Sequence, residues 1–348
     1  MTALLEARRV SKIYGEHRIG RPRPVALEDF SLVIDTDHPS ITAVVGESGS
    51  GKTTLARLLL GLETPTTGEV LYKGHSLRSL GASNRHAFRR DVQVVFQNPF
   101  EVYNPFYTVD HALEVPIAKF LSIRSKQERR AIMMDALAAV GLRPNEILGR
   151  YPHQLSGGQR QRIMVARALL LKPKVIIADE PVSMIDVSLR ATVLGNLQQL
   201  KDELGISIIY ITHDLATAYQ ISRNIIVLYS GSVVEAGDVN RVVPEPQHPY
   251  TQLLINSVPW ADPERHWTPE PSRAHPMAAG PDACKFANRC PNTMPRCIEH
   301  APPLYRTEPS RLAACYLYDQ APVSGPDGLM AAFGRLDEAD GAKSDAAA

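Results

Sequence analysis

The 348-residue chain carries 38 Lys and Arg against 37 Asp and Glu, a net charge of +1, and is 44% hydrophobic. That length can bury a large core in one principal domain plus something smaller, and the balanced charge argues against a dedicated nucleic-acid binder. No window approaches the roughly 20 consecutive apolar residues of a membrane helix, and the first 30 residues lack the charged and apolar regions of an export signal. A cytoplasmic chain that meets a membrane only through a partner is expected. Arg8, Arg9, Lys12, Arg18, Arg21 and Arg23 make the N-terminus basic, which reads as a solvated loop or a phosphate-facing edge.

In chain order, residues 10–15 alternate as a strand that ends in an aromatic, Tyr14. Its ring has two readings, a platform for a base or an ordinary edge-strand tyrosine. A second strand over 27–34 and the apolar run Ile41–Val45 lead into Gly46-Glu47-Ser48-Gly49-Ser50-Gly51-Lys52-Thr53. Glycines in this spacing let the backbone curl so that its N–H groups and a helix N-terminus face an anion. Lys52 reaches the outer phosphates and the Thr53 hydroxyl meets Mg²⁺. A nucleoside triphosphate is the expected ligand, held by this loop and by Thr54 behind it. After a helix over 55–60, Gly61, Pro65 and Gly68 mark a turn before a strand over 69–72. The strand from Val92 stops at Pro99 and presents Gln97 near its end. A polar side chain there is well placed in an α/β fold to touch a metal ion or water, although a solitary glutamine is more often a loop residue. Residues 110–142 turn helical and read as a subdomain inserted into the nucleotide domain.

Leu155-Ser156-Gly157-Gly158-Gln159 then runs into a helix over 163–170. A serine and two glycines at a helix start form a second anion-binding nest, and one site hardly needs two. Further on, Val175-Ile176-Ile177-Ala178 ends in Asp179-Glu180, as a buried parallel strand ending in paired carboxylates would. Asp179 suits Mg²⁺ through its water shell, and Glu180 suits the polarising of an attacking water. A strand over 206–211 ends in Thr212-His213-Asp214, bringing an imidazole to the same sheet edge.

Taken together and in this order, residues 46–53, Gln97, 155–159, 175–180, 183–186 and His213 resemble the ATP-binding subunit of an ABC transporter, over residues 4–320. The resemblance implies an α/β fold with a P-loop NTPase (RecA-like) core, an antiparallel β subdomain and a helical subdomain at about 100–170, within a nucleotide-binding domain of residues 1–245. It implies that Tyr14 stacks on adenine, that Gln97 senses Mg²⁺ and the membrane partner, and that His213 contacts the γ-phosphate. It also implies head-to-tail dimers, in which Ser156, Gly157, Gly158 and Gln159 serve a nucleotide held by the partner's phosphate loop. Met184-Ile185 stand where the family usually has Ala-Leu, a swap that keeps Asp186 in place and subunit communication intact.

Strands over 225–229 and 231–235 close this domain as a hairpin, and the chain reaches His248-Pro249-Tyr250-Thr251. By residue chemistry this is a turn capping a short helix. With Val258-Pro259 it also resembles the C-terminal extension of oligopeptide and dipeptide importer ATPases, here residues 246–320, with a Pro/Ala-rich linker over 261–281. All four cysteines, Cys284, Cys290, Cys297 and Cys315, fall in this extension, which argues for metal or cluster ligation over disulfides in a cytosolic chain. Their spacings lack the CxxC pairs of common zinc sites; four thiolates gathered from loops suit zinc or an iron–sulfur cluster, and four free thiols are the remaining alternative. The resemblance tips that choice to a [4Fe-4S] cluster. Residues 321–348, rich in Gly, Ala and Asp, read as disordered.

The resemblance thus implies an ATP-hydrolysing motor for uptake of di- or oligopeptides at the cytoplasmic face of the cell membrane. Its partners would be two transmembrane permease subunits, an extracytoplasmic substrate-binding protein and a second, related ATPase forming a heterodimer, with no nucleic acid. Importers of nickel, glutathione or oligosaccharides share the same pattern. The rival class is a soluble ABC ATPase acting on ribosomes or DNA, which usually carries two nucleotide domains or a long coiled-coil insertion, and the sequence shows neither.

Overall fold

The computed structural model describes residues 3–15, 24–98, 103–183, 185, 187–257, 280, 282–325 and 328–333, without the side chains of 187–189. Asp186, Met184, the Val258-Pro259 pair, the linker apart from Gly280, and Arg18, Arg21 and Arg23 lie outside the described residues.

Strands β1 (Leu5–Ile13) and β2 (Val25–Ile34) pair antiparallel, and after β3 (Ile41–Val45) and helix α1 (Lys52–Leu59) the strand β4 (Thr67–Tyr72) joins β1 on its other side. With β5 (His75–Ser76) these make a four-stranded sheet in the order β2-β1-β4-β5. Helix α2 (Ala82–Asp91) feeds β6 (Val92–Val95). Nothing in the sequence reading anticipates α2, and the reason is its polarity: only Phe88 and Asp91 are buried, so no apolar stripe marks it.

Helices α3 (Val109–Phe120), α4 (Lys126–Ala139), α5 (Pro144–Ile147) and α6 (Gly157–Leu169) follow as the expected helical segment. β7 (Val175–Asp179), α7 (Val187–Leu204), β8 (Ser207–Thr212), α8 (Leu215–Ile221), β9 (Asn224–Tyr229) and β10 (Ser232–Asp238) complete the main sheet of this region. β6, β7, β8, β3 and β9 are all parallel, and β7, β8 and β3 are buried along their whole length. Burial on both faces explains their unbroken apolar runs. Alternate residues serve two cores: Ile176, Ala178, Ile208 and Tyr210 pack toward the helical segment, whereas Ile177, Ile209, Ile211 and Val44 pack toward α1 and the antiparallel sheet.

After α9 (Val239–Val242) and α10 (Pro249–Asn256), the C-terminal region places α11 (Pro295–Glu299) and a hairpin of β11 (Tyr305–Glu308) and β12 (Arg311–Ala313). This hairpin extends the main sheet to eight strands, β11-β12-β10-β9-β3-β8-β7-β6, so the C-terminal region shares its sheet and core with the nucleotide-binding region. A buried ion pair fastens the junction: Arg311 donates to Glu235 of β10 at 2.9 and 3.2 Å, and both side chains are almost wholly enclosed.

The tail corrects an expectation. Residues 321–348 read as disordered from composition, yet Gly328–Phe333 form helix α12, which packs on β2, β10 and β12 with Leu329 and Ala332 buried. The apolar residues Leu329, Met330 and Phe333 supply what the mean composition hides. Leu329→Ala is therefore expected to lower the unfolding free energy by about 2–5 kcal/mol. Denaturant unfolding checks this, and a change below about 0.5 kcal/mol, the size of a surface substitution, would leave α12 without a structural role.

Candidate active site

The carboxyl ends of β3, β6, β7 and β8 deliver the expected reactive groups to one sheet edge. Beyond β3 the loop curls through Gly46, Gly49 and Gly51, which hold φ of 152°, 80° and 107°. A Cβ on Gly46 would strike the Leu228 carbonyl, and one on Gly51 the Ala26 carbonyl, so neither position tolerates a side chain. The Gly231 amide donates to the Ser50 carbonyl at 2.9 Å, tying the loop to the turn between β9 and β10. Gly51 caps α1, whose first residues are Lys52 and the exposed Thr53, with Thr54 half-buried beside them. Ser48 and Gly49 are exposed at the tip of the curl.

The Lys52 ammonium, nearly buried, donates to the Gly46 and Glu47 carbonyls at 2.7 and 2.9 Å. Burial pushes its pKa down, and the charges of Glu180, Asp179 and Glu47 oppose that. At the end of β7, burial and then the neighbouring Glu180 raise the Asp179 carboxyl to about 6. Two carboxylates and one ammonium leave negative charge in excess at this edge, and an oxygen-rich donor set of this kind fits Mg²⁺. Asp179 and the Thr53 hydroxyl would hold it, with Gln97 close by.

Glu180 draws two sequence-distant side chains together. Its Oε2 accepts from Gln97 Nε2 at 2.8 Å, and its Oε1 lies 3.0 Å from His213 Nδ1. The Glu180 backbone is left-handed, with φ 47°, while its amide donates to the Ile211 carbonyl at 2.8 Å and its carbonyl accepts from Ser183. A non-glycine residue held in that region costs about 1–3 kcal/mol and is retained where the surroundings over-determine it. The side chain is thus aimed from a fixed point, in register with β8.

Ser156 caps α6 in a capping box: its Oγ accepts from the Gln159 amide at 3.2 Å, and Gln159 Oε1 accepts from the Ser156 amide at 2.9 Å. Ser156 is exposed, Gly157 and Gln159 are half-buried and Gly158 is buried. This nest opens a separate helix from the one behind the phosphate loop. Tyr14 stands one residue past β1, half-buried, with Lys12 Nζ 5.0 Å from its ring centroid.

Two contacts to the loop have no signal in the sequence. The Glu47 amide donates to the Tyr250 hydroxyl at 2.8 Å, and Arg289 grips the Glu47 carboxylate in a fork at 2.9 and 3.0 Å. The His-Pro-Tyr-Thr motif could have marked Tyr250 as special but not its partner.

Cys284, Cys290, Cys297 and Cys315 line one cavity beneath His248 and Phe286. Burial raises the thiol pKa of Cys284 and Cys290, and that of Cys315 to about 11. Among the described residues no three His, Cys, Asp or Glu side chains meet as a metal-ion site. Four thiols around one cavity are the donor type that an iron–sulfur cluster takes.

Known proteins resemble this chain along most of its length. The family model for ABC transporters matches residues 27–183, and the model for the oligopeptide/dipeptide transporter C-terminal region matches residues 234–297. A putative oligopeptide transport ATP-binding protein of Bacillus subtilis is 42% identical over 320 residues, 90% of this chain and 95% of that one. A dipeptide transport ATP-binding protein of Haemophilus influenzae is 39% identical over 91% of this chain and 98% of its own. Among solved structures, a dimeric post-hydrolysis state of the ATP-binding cassette MJ0796, bound to ADP and Pi, is 30% identical, covers 68% of this chain and 98% of that one, and has a TM-score of 0.60. Fold and site define an ABC-type ATPase. Within that class the chain belongs to the family of oligopeptide and dipeptide transport ATP-binding subunits.

Proposed function

We propose that this ATPase drives the uptake of di- or oligopeptides through membrane permease partners. The reading rests on the C-terminal family match and on the names its relatives carry. The solute passes through two permease subunits, and this chain lies against their cytoplasmic face; no described helix of its own is long and apolar enough to cross a membrane. A substrate-binding protein delivers the peptide from outside, and a second, related ATPase completes a heterodimer.

The observation that carries the mechanism is the Glu180 carboxylate fixed between Gln97 and His213 beside Lys52 and Asp179. ATP lies with its phosphates in the Gly46–Thr53 curl and its adenine on Tyr14. Lys52 exchanges its two carbonyl acceptors for outer phosphate oxygens. Water attacks the γ-phosphate in line as the bond to the β–γ bridging oxygen breaks and ADP leaves, Glu180 takes the water's proton, and His213 steadies the γ-phosphate. Bound Mg²⁺ supplies further neutralisation of the phosphate charge. The exposed Ser156 hydroxyl and the N–H groups of Gly157 and Gly158 close over a nucleotide held by the partner ATPase, and the dimer's closure moves the permeases.

The four cysteines hold a [4Fe-4S] cluster, with Cys284, Cys290, Cys297 and Cys315 as its thiolates. Such a cluster would cross-link otherwise separate loop segments around their shared cavity.

Glu180→Gln is expected to cut turnover by about 10²- to 10⁴-fold while ATP binding persists. Parental turnover by that variant in the assembled transporter would remove Glu180 as the base. Anaerobically purified protein is expected to show iron–sulfur visible absorption with matching iron and sulfide; stoichiometric zinc without iron would remove the cluster.

A further inference from the structure

Among the described residues, the C-terminal region grips the phosphate loop through Glu47. Its amide donates to Tyr250 Oη at 2.8 Å, and its carboxylate is held by the Arg289 fork at 2.9 and 3.0 Å. Neither contact belongs to the phosphate-binding chemistry of the loop itself, and both come from more than 200 residues away in sequence.

Each gripping side chain is itself immobilised. Tyr250 is fully buried, with its ring 4.5 Å from Tyr229 and 5.5 Å from Phe286, centroid to centroid. Its amide donates to His248 Nδ1 at 3.0 Å, and burial lowers the His248 pKa to about 4, so that ring stays neutral and keeps an acceptor nitrogen. The His248 amide in turn donates to Glu235 at 2.9 Å, the same carboxylate that holds Arg311. A continuous chain of hydrogen bonds thus runs from the β11–β12 hairpin through the His-Pro-Tyr motif to the amide of Glu47. Arg289 lies against the same aromatic group, 5.5 Å from the Phe286 centroid and 5.8 Å from that of Tyr229. It immediately precedes Cys290, so it is carried on the thiol-bearing loop.

We propose that Tyr250 and Arg289 are positioning residues for the ATPase: by fixing Glu47 at two points they hold the phosphate loop in its anion-binding curl before nucleotide arrives. The proposal deepens the ATPase reading and rests on it. Its physical basis is preorganisation: a loop ordered in advance spends less of the phosphate contact energy on its own ordering. The His-Pro-Tyr motif then has a specific mechanical task. His248 caps, Pro249 starts α10, and Tyr250 presents its hydroxyl to the loop. The thiol-bearing segment also becomes a structural neighbour of the ATP site through Arg289.

The test measures equilibrium binding of Mg-ATP to the isolated full-length chain, together with KM and kcat for ATP in the assembled transporter. Tyr250→Phe keeps the packed ring and leaves the Glu47 amide without its acceptor; Arg289→Ala removes the fork. Tyr250→Phe is expected to weaken ATP binding and raise KM by about tenfold, the size of one lost buried hydrogen bond, and Arg289→Ala, which removes a part-exposed fork, by about three- to fivefold, each with kcat at saturating ATP within about twofold. A purely structural role would instead lower the thermal midpoint and the active fraction, and so kcat, at unchanged KM. In a Glu47→Gln background, Arg289→Ala is expected to add less than twofold, because Arg289 acts through that carboxylate. Unchanged affinity in both single variants, or an undiminished Arg289→Ala effect in the Glu47→Gln background, would overturn the proposal alone. Failure of the unmodified chain to bind Mg-ATP would overturn the ATPase reading and this inference with it.

Discussion

Five neighbouring strands running in one direction, β9-β3-β8-β7-β6, are the constraint on which the site depends. Because they are parallel, their carboxyl ends share one edge, and the turns beyond them bring the phosphate loop, Gln97, the Asp179–Glu180 pair and His213 within reach of one another. Burial on both faces of β3, β8 and β7 locks the register, since a slip of one residue would exchange the contents of the two cores. A site assembled from four chain segments therefore inherits the precision of the sheet. The Glu180 amide extends the ladder onto Ile211, so Glu180 is placed by the same hydrogen bonds that define the strands.

Charge is arranged as carefully as geometry. Asp179 and Glu180 are adjacent carboxylates, one raised by burial and by the other, and Lys52 is the nearby cation that burial pushes toward neutrality. Each of these groups is costly alone: a phosphate would relieve Lys52, and a phosphate-bound cation would relieve the two carboxylates. Glu180 differs from Asp179 in its partners: Gln97 and His213 orient its oxygens, which suits a group that must meet a water at a defined point. The C-terminal region joins this edge through the sheet it extends, with the enclosed Arg311–Glu235 pair at the joint.

What the sequence discloses of this site is what is local. The phosphate loop, the paired carboxylates after β7 and the serine-capped α6 are each set by residues a few positions apart, and all three stand where their spacing puts them. Their meeting is not local: Gln97 and Glu180 are 83 residues apart, His213 and Glu180 33, and only the strand order brings them together. The grip on Glu47 spans 203 and 242 residues and follows no periodicity at all. For α2 and α12 the obstacle is different. One has too few buried residues to leave a stripe, and the other is a short apolar cluster diluted by a polar, alanine-rich tail.

In the proposed mechanism the phosphate loop is half of a site, completed by the serine-capped helix of another ATPase. The most direct measurement compares steady-state ATP hydrolysis per subunit in the isolated, dilute chain with that in the assembled transporter. The dilute chain is expected to bind ATP but turn it over far more slowly; equal rates per subunit would contradict a shared site.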